Sequence, residues 1–276
     1  MVKLVPLITY EDLSEIILLV KNVYDMDLSG YSKASLKRRV IRFMELEKLD
    51  LLGLKTALIN TKGFYSHFIM ELTVNVTEMF RDPQYYQLLN TEVMPYLASF
   101  PRLRLWSAGC STGEEVYSLS IILQEHGLYQ RSFIYGTDIN ARVLDTAKKG
   151  IYSLAKVKEY SDNYLKSGCK NSLSDYYTAM YEAACMPNEL KEKILFSTHN
   201  LVSDGVFNEF QFISCRNVLI YFEIDLQKKV FELFDKSLAL FGFLCLGSKE
   251  SMIHSGLLHK YKVIDKKYNI YQKIAL

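Results

Sequence analysis

Several common features are missing from this chain, and each absence narrows what it can be. The five cysteines, Cys110, Cys169, Cys185, Cys215 and Cys245, include no C-x-x-C pair. Scattered thiols of this kind argue against a zinc site or a disulfide framework and for reduced, buried side chains. The five histidines show no H-E-x-x-H spacing, so no metal is expected. Apolar runs long enough to span a bilayer are also absent, the longest being broken by charge. The opening MVKLVPLITYEDLSEI lacks the charged-then-apolar-then-small order of a secretion signal, and a cytoplasmic location is expected. Neither sign of charge dominates: 33 Lys and Arg against 31 Asp and Glu leave +2, too little to make nucleic acid or an anionic membrane the main partner. No internal repeat or low-complexity segment stands out. What is present, 276 residues of which 49% are hydrophobic and 23% charged, suits a globular enzyme of one large domain or two unequal ones.

Two regimes divide the chain. Residues 10–70 read as helical almost throughout. Over Tyr10–Val23 the apolar residues Leu13, Ile16, Ile17 and Val20 recur at helical spacing behind a Thr9/Asp12 start signal. Over Ser35–Leu46, Leu36, Val40, Phe43 and Met44 take one side, with Lys37, Arg38, Arg39 and Arg42 around the rest. A helical N-terminal domain over 1–70 is expected. From Arg102 onward strands alternate with helices, which argues a parallel, doubly wound α/β sheet. Expected strands are Leu103–Trp106, Phe133–Thr137, Ile194–Thr198, Phe210–Ser214 and Phe243–Gly247. Expected helices are Val116–Glu125, Ala141–Lys149 and Asp225–Leu240, the last closed by Gly242. Tyr261–Ala275 holds two short strand-like runs, a reversed terminal hairpin. Between Tyr152 and Lys193 the rhythm breaks, so a small inserted subdomain, about 153–193, is expected within a domain of 71–276.

The chemistry concentrates in ordered blocks. Residues 101–115, PRLRLWSAGCSTGEE, read as a buried strand, a small-residue loop and two carboxylates opening a helix. Such a loop is the usual seat of a nucleotide-like cofactor. A pyrophosphate needs the bare helix N-terminus, and Glu114 and Glu115 would repel it. This disfavours a nicotinamide dinucleotide. S-adenosylmethionine fits instead, since it carries a sulfonium, an ammonium and a ribose diol but no phosphate. Asp138, closing the next strand in Y-G-T-D, stands where an acid accepts hydrogen bonds from a ribose diol; alone it reads equally as a helix cap. The run Phe210–Phe222 delivers Arg216, Asn217 and Tyr221 to the carboxyl edge of the sheet, where ligands bind, and a buried arginine there also needs structural partners. In Val74–Pro83, Asp82 and Pro83 read as a helix start, which leaves Asn75, Thr77 and Arg81 unexplained among apolar neighbours. Asn200, in H-N-L, reads either as a contact to an adenine edge or as a turn cap, and His199 as structural.

Together these blocks resemble the CheR-type chemotaxis-receptor methyltransferases, which methylate glutamate side chains with S-adenosylmethionine. The resemblance spans N-V-T-E-M-F-R-D at 75–82, W-S-A-G-C-S-T-G-E-E at 106–115, T-D-I-N at 137–140, H-N-L at 199–201, C-R-N-V-L-I-Y-F at 215–222 and G-S-K-E-S at 247–251. It implies a Rossmann-like class I methyltransferase domain with an all-helical N-terminal domain and an inserted subdomain. It also implies cofactor contacts at Asn75, Thr77, Arg81, Glu114 or Glu115, Asp138, Asn200, Leu201, Arg216 and Asn217, with Arg81 and Tyr221 near the transferred methyl. The products would be glutamate methyl esters and S-adenosylhomocysteine, and the partner the cytoplasmic helical part of a chemoreceptor or similar signalling protein. Lys37, Arg38, Arg39 and Arg42 read either as the cations that dock it or as an ordinary solvated helix face. In members that tether to a receptor's C-terminal peptide the inserted subdomain has a glycine-rich strand pattern. Here Gly168 is followed by C-K-N-S-L-S-D-Y-Y, which speaks against tethering. Two rivals remain: a nucleic-acid base methyltransferase, disfavoured by the lack of a proline-bearing turn at 215–218, and a non-catalytic S-adenosylmethionine-binding or receptor-binding scaffold.

Overall fold

Where apolar residues recur at helical spacing near the N-terminus, four helices form. These are α1 (Tyr10–Tyr24), α2 (Lys33–Glu47), α3 (Leu51–Asn60) and α4 (Phe64–Leu72). The computed structural model describes residues 8–73 and 76–276, and these separate into two compact units. The helices belong to the first, with Leu219–Lys229; the second holds the rest up to 218 and Val230–Leu276. Helix α1 starts on a capping box. The Thr9 hydroxyl accepts the Asp12 N–H at 3.1 Å, and the Asp12 carboxylate accepts the Thr9 N–H at 2.7 Å. In α2 the stripe Leu36, Val40, Phe43 and Met44 is buried, and Phe43 meets Phe64, His67 and Phe68 edge-on at 5.2–5.5 Å. Burying each such side chain stabilises the unit by about 1.5–3 kcal/mol.

The second unit begins with α5 (Pro83–Leu88) and α6 (Met94–Leu97), then alternates β1 (Leu103–Ala108), α7 (Glu114–Glu125), β2 (Ser132–Asp138) and α8 (Ala141–Lys149). Next come β3 (Ile151–Ser153), α9 (Leu154–Lys166), β4 (Thr178–Met180), β5 (Ala183–Cys185) and α10 (Asn188–Lys191). The chain ends with β6 (Ile194–Thr198), β7 (Phe210–Cys215), α11 (Ile224–Ser237), β8 (Leu238–Leu246), β9 (Tyr261–Asp265) and β10 (Ile270–Lys273). Seven strands make one sheet in the order β6-β2-β1-β7-β8-β10-β9. The first five run parallel and β10 is antiparallel to both neighbours. This is an α/β Rossmann-like fold. The order reverses beside β1, so the loops after β1, β2 and β7 share the carboxyl edge where such sheets bind ligands. β3, β5 and β4 form a separate antiparallel sheet; between β3 and β4, Tyr164 on α9 and Tyr176 both donate their hydroxyls to Glu125 on α7.

Two local expectations need correction. The helix expected to run to Leu240 stops at Ser237, and Leu238 already begins β8. Gly242 is therefore no helix cap. It lies at an irregularity in the β7–β8 pairing, beside Phe241 in the left-handed region at φ 65. A Cβ there would stand 2.9 Å from the Ala239 carbonyl and 3.0 Å from that of Gln211. Asp82 precedes α5, with Pro83 in its first turn, but its side chain does not cap; it is taken by Arg216, as described below.

Candidate active site

The loop between β1 and α7 is pinned to the end of β2. Gly109 and Cys110 both donate their N–H to the Thr137 carbonyl at 2.8 Å. Gly109 has φ 74, and a Cβ on it would fall 2.4 Å from Val218 Cγ2, so only glycine allows this approach. Glu114 and Glu115 then diverge. Glu114, 4% exposed, accepts the Thr112 hydroxyl at 2.6 Å, and burial pushes its pKa up. Glu115 accepts the Ser107 hydroxyl at 2.9 Å and Arg216 at 3.3 Å.

Asp138 ends β2 with both carboxylate oxygens engaged by the backbone. One accepts the Ser111 N–H at 2.9 Å and the other the Asn140 N–H at 3.0 Å. Burial raises its pKa, and those N–H bonds oppose the rise. Each oxygen keeps acceptor capacity for one more donor. The Asn140 carboxamide oxygen caps α8 through the Arg142 N–H at 3.0 Å.

Arg216 is the hub of a buried ionic cluster. Its side chain is 3% exposed. It donates to the Asp82 carboxylate at 2.7 Å, the Arg81 carbonyl at 3.1 Å and Glu115 at 3.3 Å, and its guanidinium lies 3.9 Å from the Tyr85 ring centroid. Burial alone would lower its pKa, but Tyr85, Glu115, Tyr86 and Asp82 raise it overall. The turn that Arg216 holds is left-handed at Phe80 (φ 53) and Asp82 (φ 60), conformations that persist only when neighbours fix them. The expected structural partners of this arginine are thus Asp82, Glu115 and Arg81.

The remaining expected site residues fall in different places. Asn75 lies outside the described residues, and Thr77 is partly buried. Arg81 is partly buried and donates to the Val76 carbonyl at 3.2 Å. Asn200 forms a turn, its carboxamide oxygen accepting the Val202 N–H at 2.9 Å, and Leu201 follows it, partly buried. His199 stands edge-on to Trp106 at 5.2 Å, a structural contact. Asn217 directly follows Arg216 and is left-handed at φ 62. Cys110 and Cys215 are buried and burial pushes both thiols up, which suits packing rather than nucleophilic work.

Tyr221 belongs to the helical unit. Its carbonyl accepts the Ser32 N–H at 2.8 Å, and the Arg39 guanidinium lies 5.6 Å from its ring centroid. Arg38, Arg39 and Arg42 line one cavity with Ser35 and Glu71. Lys37 does not join them: its ammonium sits over the Tyr10 ring at 4.5 Å, because position 37 lies on the far side of α2 from 38 and 42. Sequence reasoning missed Tyr85, which reads as an ordinary core aromatic, and Glu250, whose G-S-K-E block is visible in the sequence without its purpose.

Comparison with known proteins finds relatives of one family. The family profile described as "CheR methyltransferase, SAM binding domain" matches residues 75–268. The Pseudomonas putida protein Cher3 is 43% identical over 263 residues, 94% of this chain and 96% of that protein. A chemotaxis protein methyltransferase of Listeria innocua is 30% identical over 243 residues, 85% of this chain and 88% of that protein. Among solved structures, a methyltransferase from Geobacter sulfurreducens in complex with S-adenosyl-L-homocysteine aligns over 66% of this chain and 54% of that one, at 14% identity and a TM-score of 0.36.

Proposed function

Because this chain belongs to the CheR methyltransferase family, whose cofactor is S-adenosylmethionine, we propose that it methylates glutamate side-chain carboxylates of a chemoreceptor or receptor-like signalling protein. The residues at the sheet edge fit that cofactor by their chemistry. Asp138 retains acceptor capacity for a ribose diol, and Glu114 and Glu115 place negative charge where a sulfonium and an ammonium are welcome. Thr77, Asn200, Leu201 and Asn217 complete its seat in this reading, with Asn75, close to Thr77 in the sequence.

When bound, S-adenosylmethionine supplies the methyl group and departs as S-adenosylhomocysteine. The chain's residues have only placement to do. A glutamate with a pKa around 4.3 is already ionised at neutral pH, so no general base is needed. Arg81 orients the acceptor carboxylate through charge-assisted hydrogen bonds, and Tyr221 fixes it in a near-attack geometry. The observation that carries this reading is the Arg216 clamp on the 80–82 turn: the fold commits a buried cation and two carboxylates to holding the backbone of one half-buried arginine. The basic cavity of Arg38, Arg39 and Arg42 docks an acidic acceptor helix.

The test is methyl transfer to cytoplasmic fragments of receptors from the same cell. The product should be base-labile, releasing methanol as an ester does. Arg81→Ala should cut kcat/KM by roughly 100-fold or more, the scale of lost transition-state contacts, and by more than it weakens S-adenosylhomocysteine, which keeps its other proposed contacts. Near-normal turnover by that variant, or a base-stable product, would overturn the reading.

A further inference from the structure

Glu250 lies outside every role assigned so far, yet it is one of the few buried acids in the molecule. It is 5% exposed and follows β8 in the block Gly247-Ser-Lys-Glu250. Its carboxylate collects three backbone N–H groups. Oε2 accepts from Gly247 at 2.6 Å and from Asn217 at 2.9 Å, and Oε1 accepts from Val218 at 2.7 Å. Two of these donors form the turn after β7. That turn is where the chain adopts the left-handed conformation at Asn217, φ 62, a state that a non-glycine residue holds only when its surroundings compel it.

The grip extends to the β1–α7 loop. Val218, fixed through its N–H, presses its side chain against Gly109 so closely that a Cβ on Gly109 would fall 2.4 Å from Val218 Cγ2. Gly247 is tailored to the same clamp. A Cβ there would stand 2.7 Å from Glu250 Oε2, 2.8 Å from the Asn217 nitrogen and 3.0 Å from its Nδ2. On the other side, the Asn269 carboxamide donates to the Gly247 carbonyl at 3.0 Å, anchoring the clamp to the turn before β10. The loops after β1, β7 and β8 therefore meet at one carboxylate and its immediate neighbours.

We infer that Glu250 is a positioning residue for the cofactor: it fixes the 217–218 turn so that the Asn217 carboxamide is held ready to receive S-adenosylmethionine. The inference rests on the reading that Asn217 touches the cofactor. A neutral or hydroxylic side chain does not replace Glu250, because two oxygens must accept three N–H donors. In Glu250→Gln the shape stays, but an NH2 group faces at least one backbone N–H, and the turn loses a charge-assisted acceptor.

The experiment is calorimetric titration of S-adenosylhomocysteine into the full-length wild type, Glu250→Gln, Asn217→Ala and the double variant, with thermal melts of each. Glu250→Gln should raise Kd about tenfold or more, the scale of one lost charged hydrogen bond, at unchanged binding stoichiometry. Because it acts through Asn217, the double variant should bind little worse than Asn217→Ala alone. A purely structural role predicts a lower melting temperature with wild-type Kd in the folded fraction, and that result overturns the inference. Effects that multiply in the double variant overturn it too. Should Asn217→Ala bind with wild-type affinity, the reading of Asn217 fails and this inference goes with it; weakened Asn217→Ala beside normal Glu250→Gln sinks the inference alone. Should Glu250→Gln fail to fold, Gly247→Ala keeps the carboxylate and crowds the same turn. It should show the same loss of affinity, and normal affinity there counts against the clamp.

Discussion

At the scale of single residues, the acids of the sheet edge show how burial prepares a group for its ligand. Asp138 and Glu114 both have pKa values pushed up by desolvation, Asp138 against the pull of backbone N–H bonds. A raised carboxyl pKa means the ionised form is disfavoured in the fold, so at neutral pH it costs stability that is recovered as pH falls. The ionised form is also the one that accepts two hydroxyl donors. Affinity for S-adenosylhomocysteine should accordingly decline as pH drops through these raised values, starting above the ordinary carboxylate range near 3.9–4.3. Asp138→Asn should bind at least about tenfold more weakly at neutral pH and lose affinity less steeply toward acid, since one of the two titrating groups is gone. Calorimetry over a pH series decides it; identical slopes in wild type and variant would show that Asp138 does not sense the ligand. The chemistry of this residue was legible in its position after a strand. Whether it caps or binds was not, because that depends on where Ser111 and Asn140 point their N–H groups.

At the scale of elements, the strands and most helices follow from periodicity, and the misreadings share one cause. Leu238, Ala239 and Leu240 continue the apolar spacing of α11, so nothing local says that the helix has ended. The end is set from a distance. Lys273, on β10, donates to the carbonyls of Asp235 at 2.6 Å and Leu238 at 3.1 Å, supplying a cation where the last helical carbonyls lack partners. Asp82 reads as a cap for the same reason: its partner Arg216 is 134 residues away in the chain. The Lys273 staple carries its own test. Asp235 is also held by Lys260 at 3.1 Å and by the Tyr261 hydroxyl at 2.9 Å. Burial works against its ionisation, but Lys260, Tyr261 and Lys273 outweigh it and leave its pKa lowered. A lowered carboxyl pKa contributes stability that is present at neutral pH and is lost as pH falls through the folded value, below about 3.9. Lys273→Met should cost about 1–3 kcal/mol in urea unfolding at neutral pH, with the penalty shrinking in acid as Asp235 protonates. A variant as stable as wild type at pH 7 would show the staple to be idle.

At the scale of the whole molecule, the most consequential feature is that Leu219–Lys229 joins the N-terminal helices. No boundary drawn along the sequence expresses this, because it rests on a few backbone bonds: Ser32 N–H to the Tyr221 carbonyl at 2.8 Å and Glu223 N–H to the Gly30 carbonyl at 2.9 Å, with Tyr31 edge-on to Phe222 at 4.8 Å. Tyr221 thereby shares a unit with the basic face of α2. Arg39 also faces the Tyr221 ring, so Arg38 and Arg42, a helical turn apart, are the cations of this cavity whose charge can be reversed without touching that contact. Steering of this kind acts on encounter and is screened by salt. Charge reversal, Arg38→Glu with Arg42→Glu, should lower kcat/KM for a receptor fragment by roughly tenfold at low ionic strength, with the deficit narrowing as salt is added. Affinity for S-adenosylhomocysteine should stay at the wild-type value, because neither arginine is among the residues proposed to hold the cofactor. Unchanged kcat/KM at low salt would mean that the acceptor docks elsewhere, and a parallel loss of cofactor affinity would mean that the variant is damaged rather than repelled.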